Sequence, residues 1–383
     1  MTINIFQCYR RLTEILIGYV APFTGPLSSF TVAFDWTMDK AVEKINEEGG
    51  IYIEEYDKNL PIRVIRGDSE SSPTIASEVA SKFVLDDKVD ILTAAWTPDT
   101  STPVSAVAER NQIPCLISNS PADSWLAGGP YEWSHGIMFY VEDMMVSYID
   151  ALDKLDTNKK VGFLFDSEVD GVTFSKMLIE MLPERGYEVV DPGRFAISTS
   201  DYTNIISQLR EEECEIVMGN QVLPNFSTAW QQFIQNDYIP KGFVIGKAIA
   251  FGSDVAALGN NIGENLMTEG HWDRTFPYQS SLLDYSAEEL AAAWEEENNS
   301  QYPFSLGYDL ALFEVLHEAL GASANLEPAT IRDALNAVDY EGIYGELAFD
   351  ENNVMRVPIV TGQWVPSDRS YSHSLCVCIS PAK

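Results

Sequence analysis

An unbroken apolar run from Ile15 to Val20 halts at Pro22, and within a few residues the pattern changes its period. Thr24, Gly25, Pro26, Ser28 and Ser29 form a small polar cluster. Behind it Phe30, Phe34, Met38, Ala41, Val42 and Ile45 recur at helical spacing until Gly49-Gly50. This pattern predicts a buried strand, a turn and an amphipathic helix over 30–48 closed by glycine. Ser28 and Ser29 are the expected caps of that helix. The alternation continues, with predicted strands at 60–67, 90–95 and 114–118 and predicted helices at 73–86 and 101–111.

A second series repeats the scheme. Strands are predicted at 161–166, 187–190, 215–219 and 242–246, with helices at 171–185, 201–212 and 224–237. Strand–helix alternation implies parallel sheets covered by helices on both faces, and two series imply two similar α/β lobes. Residues 134–145 and 268–280 break the pattern and are candidate crossings between the lobes. No short repeat or low-complexity segment interrupts the chain.

Length and composition fit this picture. The 383 residues suffice for two domains, and 45% hydrophobic with 21% charged residues is a globular composition. The net charge of −34, from 58 acidic and 24 basic residues, opposes nucleic acid and anionic membrane surfaces as partners. No apolar stretch is long enough to span a bilayer, so no membrane insertion is expected. The opening "MTINIFQCYRRLTEIL" has Arg10 and Arg11 but no apolar stretch behind them, and is not expected to be an intact signal peptide. The cysteines, Cys8, Cys115, Cys214, Cys376 and Cys378, are odd in number, and all but Cys8 sit in apolar strand-like runs, so buried free thiols are expected. Cys376-Val-Cys378 lacks the companions of a zinc site, and no metal or cofactor is expected.

In doubly wound sheets ligands bind beyond the carboxyl ends of the strands, near helix N-termini. The loops there are Thr24 to Ser29, Gly67-Asp68-Ser69, Trp96 to Ser101, Ser118-Asn119-Ser120, Asp166 to Gly171, Asn220-Gln221 and Gly246-Lys247. They carry hydroxyls, amides and carboxylates but no cluster of Lys or Arg. A phosphate loop is absent, since neither GxxxxGK[ST] nor GxGxxG follows the first strand. A serine hydrolase would need a nucleophile elbow, and GxSxG is also absent. Of the four histidines, His317 lies in a predicted helix and His373 near the tail, while His135 and His271 fall at the candidate crossings. They either pack a hinge or line a cleft. Tyr131, Trp133 and Trp272 flank the same crossings, and Trp96 ends a strand where a ligand could stack on it or hold a cation against it. Asp166 and Asp170 offer a negative pole or a helix cap.

Several stretches occur together in a telling order: "IGYVAPFTGPLSSF", "AVEKINEEGGI", "GDSESSPTIASEVASKFVLDDKVDILTAAWTP" and "VSAVAERNQIPCLISNSPA", then "DYTNIISQLREEECEIVMGN", "SLGYDLALFEVLHEAL" and "YEGIYGELAFDENN". With them the chain resembles the substrate-binding proteins of branched-chain-amino-acid-type ABC transporters, in the type I periplasmic-binding-protein superfamily, over roughly residues 14–365. The resemblance implies two doubly wound lobes joined by a three-crossover hinge and closing on a ligand in the cleft. It implies an N-terminal lobe of 14–136 plus 272–344, a C-terminal lobe of 137–271 plus 345–383, and an N-terminal extension at 1–13.

The resemblance also implies how a ligand is held. A ligand carboxylate would meet hydroxyls and amides at Trp96, Thr97, Thr100, Ser118, Asn119 and Ser120, with Trp272 also at the cleft. The acid that usually meets a ligand ammonium is replaced by Lys247, and two positions commonly aromatic are Asp170 and Gln221. If Lys247 faces the ligand it favours a carboxylate or carbonyl; if it pairs with Asp170 the site is close to neutral and suits an amide or an aromatic acid. Either way leucine, isoleucine and valine are disfavoured, and a Lys247 pointing away would remove the inference. The expected protein is a non-enzymatic, monomeric periplasmic or cell-surface receptor delivering a small polar solute to ABC permease subunits. A cytoplasmic ligand sensor of the amide-sensing type and a hydrolase using a cleft histidine are the alternatives.

Overall fold

The structure, a computed structural model, describes residues 13–259, 262–366 and 373–377. It divides into two compact units. The first comprises the chain up to Met138, Ser280–Asp284 and Asp309–Met355; the second comprises Phe139–Gln279, Tyr285–Tyr308 and the chain from Arg356 onward. The chain thus changes unit after Met138, Tyr308 and Met355, with a short return to the first unit at 280–284.

The sheet of the first unit follows the order Val354–Arg356, Ser134–Phe139, Cys115–Pro121, Ile91–Ala95, Ile15–Ala21, Ile62–Asp68. Strand Ile15–Ala21 is parallel to both neighbours, pairing Ile17 with Val64 on one side and with Ile91 on the other. All seven of its residues are buried, as an apolar run without alternation requires in a sheet covered on both faces. Counting the five main strands in chain order, the sheet reads 2-1-3-4-5, so the winding reverses between Ile15–Ala21 and Ile91–Ala95.

The sheet of the second unit repeats that order. Glu188–Val190, Lys160–Phe165, Ile216–Gln221, Gly242–Lys247 and Leu266–Gly270 again read 2-1-3-4-5, and two antiparallel strands, Val360–Pro366 and His373–Val377, extend the far edge. Its reversal lies between Lys160–Phe165 and Ile216–Gln221. Val217, Phe226, Trp230, Phe233 and Phe243 share one buried cluster that seats the helices Thr203–Glu211 and Leu223–Gln235 on the sheet.

Local chemistry explains most boundaries and corrects some. Gly50 closes the first helix at φ +89, its N–H donating to Ile45 O at 2.9 Å; a Cβ there would lie 2.3 Å from Leu60 O. That helix, however, runs Phe34–Glu47 with Ala33 at its N-cap and no side-chain cap. Ser28 and Ser29 do not cap it, because they sit in a separate 3-10 turn, Ser28–Thr31. The candidate crossing at 134–145 does contain a change of unit, between Met138 and Phe139, within strand Ser134–Phe139 and ahead of helix Val141–Leu152. The 272–308 region divides otherwise than expected, most of it belonging to the second unit. Tyr302 Oη donates to Asp273 at 2.6 Å, Trp272 packs edge-on to Tyr302, and Arg274 pairs with Glu288 and Glu295, which ties 272–279 to 285–308. Cys115 and Cys214 are buried free thiols, and burial pushes both up, Cys214 to about 11. Cys8 and Cys378 lie outside the described residues.

Candidate functional site

In the first unit the chain leaves strand Ile91–Ala95 through Trp96 and Thr97, which stand at φ 68 and 67. Thr97 has ψ 151, a region that only glycine enters without steric cost, and it is the N-cap of helix Pro98–Asn111. The neighbouring strand carries Asn119 at φ 50. Three non-glycine residues in left-handed backbone thus gather at one sheet end, held by pairing across it: Trp96 N donates to Ser118 O at 3.3 Å. Such strain costs on the order of 1–3 kcal/mol per residue and persists where surrounding structure imposes it.

The hydroxyls around this turn sort into two groups. Ser101 Oγ donates to Thr97 O at 2.9 Å and lies 3.0 Å from Ser120 Oγ, and Thr100 Oγ1 lies 3.4 Å from Ser69 Oγ. These three predicted site residues, Thr100, Ser101's partner Ser120 and Ser101's neighbour Thr97 through its carbonyl, therefore brace the turn. Thr97 Oγ1 and Ser118 Oγ are buried and have no hydrogen-bond partner among the described residues. A buried polar atom without a partner costs about 1–3 kcal/mol, so each calls for an explanation. Trp96 is 1% exposed and its ring centre is 5.3 Å from that of Phe30. The sequence pattern assigned Phe30 only to a helix face; its place beside Trp96 follows from the 3-10 turn.

The polar cluster after the first strand is latched rather than free. Thr24 donates from N and Oγ1 to the Asp68 carboxylate, at 3.1 and 2.7 Å, and Ser71 Oγ donates to Thr24 O at 2.8 Å. Burial pushes the Asp68 carboxyl up, but the donors from Thr24 and Glu70 outweigh it and hold the group below its ordinary range. Gly25 stands at φ +88, where a Cβ would lie 2.6 Å from Ser71 Oγ.

In the second unit the strand ends carry charge and amides. Lys247, at φ 65, pairs through Nζ with Asp170 near the start of helix Val169–Glu184. Of the alternatives open in the sequence, this is the paired one. The Lys247 N–H donates at 3.0 Å to Glu269, a buried carboxylate that also accepts from Tyr148 Oη at 2.6 Å and Thr268 Oγ1 at 2.8 Å. Burial raises the Asp166 carboxyl, against a bond from Glu168 N–H and the Lys247 charge. Gly171 is required here, since a Cβ would lie 2.4 Å from Asp166 O. Gln221 ends strand Ile216–Gln221 in register with Lys247 and is 1% exposed.

The remaining candidates lie in packed surroundings. Trp272 is 1% exposed, and a Cβ on Gly307 would lie 2.2 Å from its ring. His135, in the first unit, donates through Nε2 to Asn336 Oδ1 at 2.6 Å and meets Phe349 edge-on. His271, in the second, lies 4.7 Å from Phe139 and 4.5 Å from Phe304 between ring centres. Burial depresses both imidazoles to about 4. His317 lies in helix Leu306–Ala322, as expected. Among the described residues no group of three or more His, Cys, Asp or Glu could hold a metal, and no helix is long and apolar enough to cross a membrane.

Strand ends so furnished, in two sheets of one winding order, meet a direct match in sequence: the profile of the family described as periplasmic binding protein covers residues 14–369. The chain belongs to that family. This periplasmic binding protein is 23% identical over 372 residues to Leu/Ile/Val-binding protein homolog 7 of Brucella abortus (strain 2308), covering 92% of this chain and 89% of the relative. It superposes with a TM-score of 0.76 at 17% identity on the branched-chain amino acid transporter substrate-binding protein LivJ from Streptococcus pneumoniae in complex with isoleucine, covering 95% and 99% of the two chains. A solute-binding protein of an ABC transporter from Rhodopseudomonas palustris BisB5, in complex with 3,4-dihydroxybenzoic acid, gives a TM-score of 0.73 at 14% identity, covering 95% and 96%. These structures show the fold, the two-lobed α/β fold of type I periplasmic binding proteins. The resemblance read from the sequence holds.

Proposed function

We propose that this periplasmic binding protein captures a small polar organic solute outside the cytoplasmic membrane and delivers it to the permease subunits of an ABC importer, closing on the ligand. The observation that carries the reading is the strained end of strand Ile91–Ala95, where Thr97 Oγ1 and Ser118 Oγ are buried without partners beside Trp96. Strain concentrated at a sheet reversal, next to the N-terminus of a 14-residue helix, favours a polar or anionic ligand group there. In this proposal Trp96, Thr97, Ser118 and Asn119 contact the solute, and Thr100 and Ser120 brace the turn that presents them. Asp170, Gln221 and Lys247 contribute from the second unit.

The solute class is amino-acid-like, amide or aromatic acid. The related structures carry isoleucine and 3,4-dihydroxybenzoic acid, which span two of these classes. Because Lys247 is paired with Asp170, this position offers no uncompensated acid to an α-ammonium, and burying an unpaired ammonium is costly. Branched-chain amino acids are therefore disfavoured. A thermal-shift screen over amino acids, amides, aromatic acids and amines, followed by calorimetry, tests the reading; a specific ligand raises the melting point by mass action. Failure of every class to shift the melting point would contradict it. Closure is read separately, as a fall in radius of gyration on ligand saturation in small-angle scattering.

A further inference from the structure

Gln221 poses a problem that packing does not solve. It is 1% exposed, yet neither Nε2 nor Oε1 has a hydrogen-bond partner among the described residues. Both halves of one carboxamide are left unmade, at a site where each buried, unmade bond costs about 1–3 kcal/mol. Its neighbour Asn220 points the opposite way, its Oδ1 lying 2.6 Å from where a Cβ on Gly246 would stand, near Tyr148 and Glu269. Gln221 shares its side of the strand with Val217, a member of the buried cluster, and with Gly219, where a Cβ would lie 2.4 Å from Leu164 O. It therefore stands at the carboxyl edge of the core, on the strand next to the winding reversal, followed by Val222, which is 40% exposed. That is where a doubly wound sheet receives a ligand.

The charges around Gln221 narrow what it can receive. Lys247, in register with it, is paired with Asp170, and Asp166 adds a further carboxyl at the adjacent strand end. Lys247, so paired, offers no uncompensated positive charge to stabilise a carboxylate. An anionic carboxylate would also satisfy Nε2 while confronting Oε1 with a second acceptor. An ammonium would satisfy Oε1 alone and leave Nε2 unmade. A neutral planar group with one donor and one acceptor side by side satisfies both atoms at once.

We propose that Gln221 reads a carboxamide-type group on the solute, donating from Nε2 and accepting at Oε1, and so makes this protein prefer amides to the matching carboxylates. The inference rests on the receptor reading above and names the solute class of that site.

The test is calorimetry at neutral pH with matched pairs: benzamide and benzoate, isovaleramide and isovalerate, glutamine and glutamate. The amide of at least one pair is expected to bind about tenfold or more tighter than its acid, the value of one good hydrogen bond. Gln221→Leu should reduce that amide's affinity about tenfold or more, while raising the melting point of the ligand-free protein by removing two unmade bonds. Gln221→Glu should weaken amide binding as well, and covers the case in which the leucine variant does not fold. An acid that binds tighter than its amide in every pair that binds would overturn the inference and leave the receptor reading standing. Unchanged amide affinity in Gln221→Leu would do the same. No binding by any pair or by any compound of the wider screen would overturn both.

Discussion

The two sheets share one winding order and differ in what they place at its reversal. In the first unit the two strand ends at Trp96–Thr97 and Ser118–Ser120 are uncharged and strained, with Trp96, Thr97 and Asn119 in left-handed backbone and hydroxyls braced against one another. In the second they are charged and amide-bearing, with Lys247 paired to Asp170 and Gln221 buried beside them. On the function proposed above, topology sets the strand ends where a solute would be met, and the side chains there decide what each end suits. In that proposal the first end would suit a polar or anionic group over a helix N-terminus, and the second a group without net charge.

The largest effect that probes this contrast is Trp96→Ala. A tryptophan that is 1% exposed should cost about 3–5 kcal/mol of stability on truncation. It should also weaken ligand binding about ten- to thirtyfold, as the loss of a stacking or cation–π partner does. Chemical denaturation and calorimetry on the same preparation read both. A variant with full stability and full affinity would place Trp96 outside both the core and the site.

Histidines held neutral by burial occur in both units despite their different strand ends: His135 and His317 in the first and His271 in the second. His135 and His271 are held neutral by burial, with values near 4 in place of 6.5. As pH falls below 6.5 the unfolded chain takes up protons that the folded chain refuses until about 4. The stability these two histidines contribute is therefore full above 6.5 and declines through that window, while the buried carboxyl of Asp254, raised to about 6, contributes with the opposite sign. Denaturation midpoints measured from pH 7.5 to 4.5 should therefore fall less, or rise more, in His271→Phe than in the parent protein. A pH dependence unchanged by the substitution would contradict the account.

Gly171→Ala sharpens the second half of the comparison. Its Cβ would lie 2.4 Å from Asp166 O, so the start of helix Val169–Glu184 must move, at a cost of about 1–3 kcal/mol. The shift carries Asp170 away from Lys247. By contrast Lys247→Met should change stability by less than about 1 kcal/mol, since Lys247 is 39% exposed and such pairs are weak. What it changes is preference: Asp170 is left unpaired, and cationic solutes should gain. Calorimetry with an amine and its neutral analogue, before and after the substitution, measures that gain.

The strands were legible because their signal is burial. Ile15–Ala21 reads as one apolar run and appears as one strand. Strand Cys115–Pro121 runs beyond its apolar part because Ser118, Asn119 and Ser120 are buried at a sheet end, so polarity there does not mark exposure. The hairpin of Ile51–Ile53 and Lys58–Leu60 was missed, since three-residue strands carry too few positions to show a period. The strand-end loops were located by their order in the chain. Which hydroxyls are spent on one another could not be read, because that depends on pairing between Ser101 and Ser120 across nineteen positions. The left-handed backbone at Trp96 and Thr97 left no trace either, since no glycine announces it.

Thr97 carries the central claim in one residue: its backbone is strained and its hydroxyl is buried without a partner. If that strain is kept for the solute, Thr97→Gly must separate stability from binding. Measured together by denaturation and by calorimetry with the ligand found in the screen, the variant should gain about 1 kcal/mol of stability as the backbone relaxes, after the entropic cost of glycine. Its affinity should fall about tenfold, the value of one hydrogen bond. A variant that binds as tightly as the parent protein, whatever its stability, would contradict the assignment of this turn to the solute.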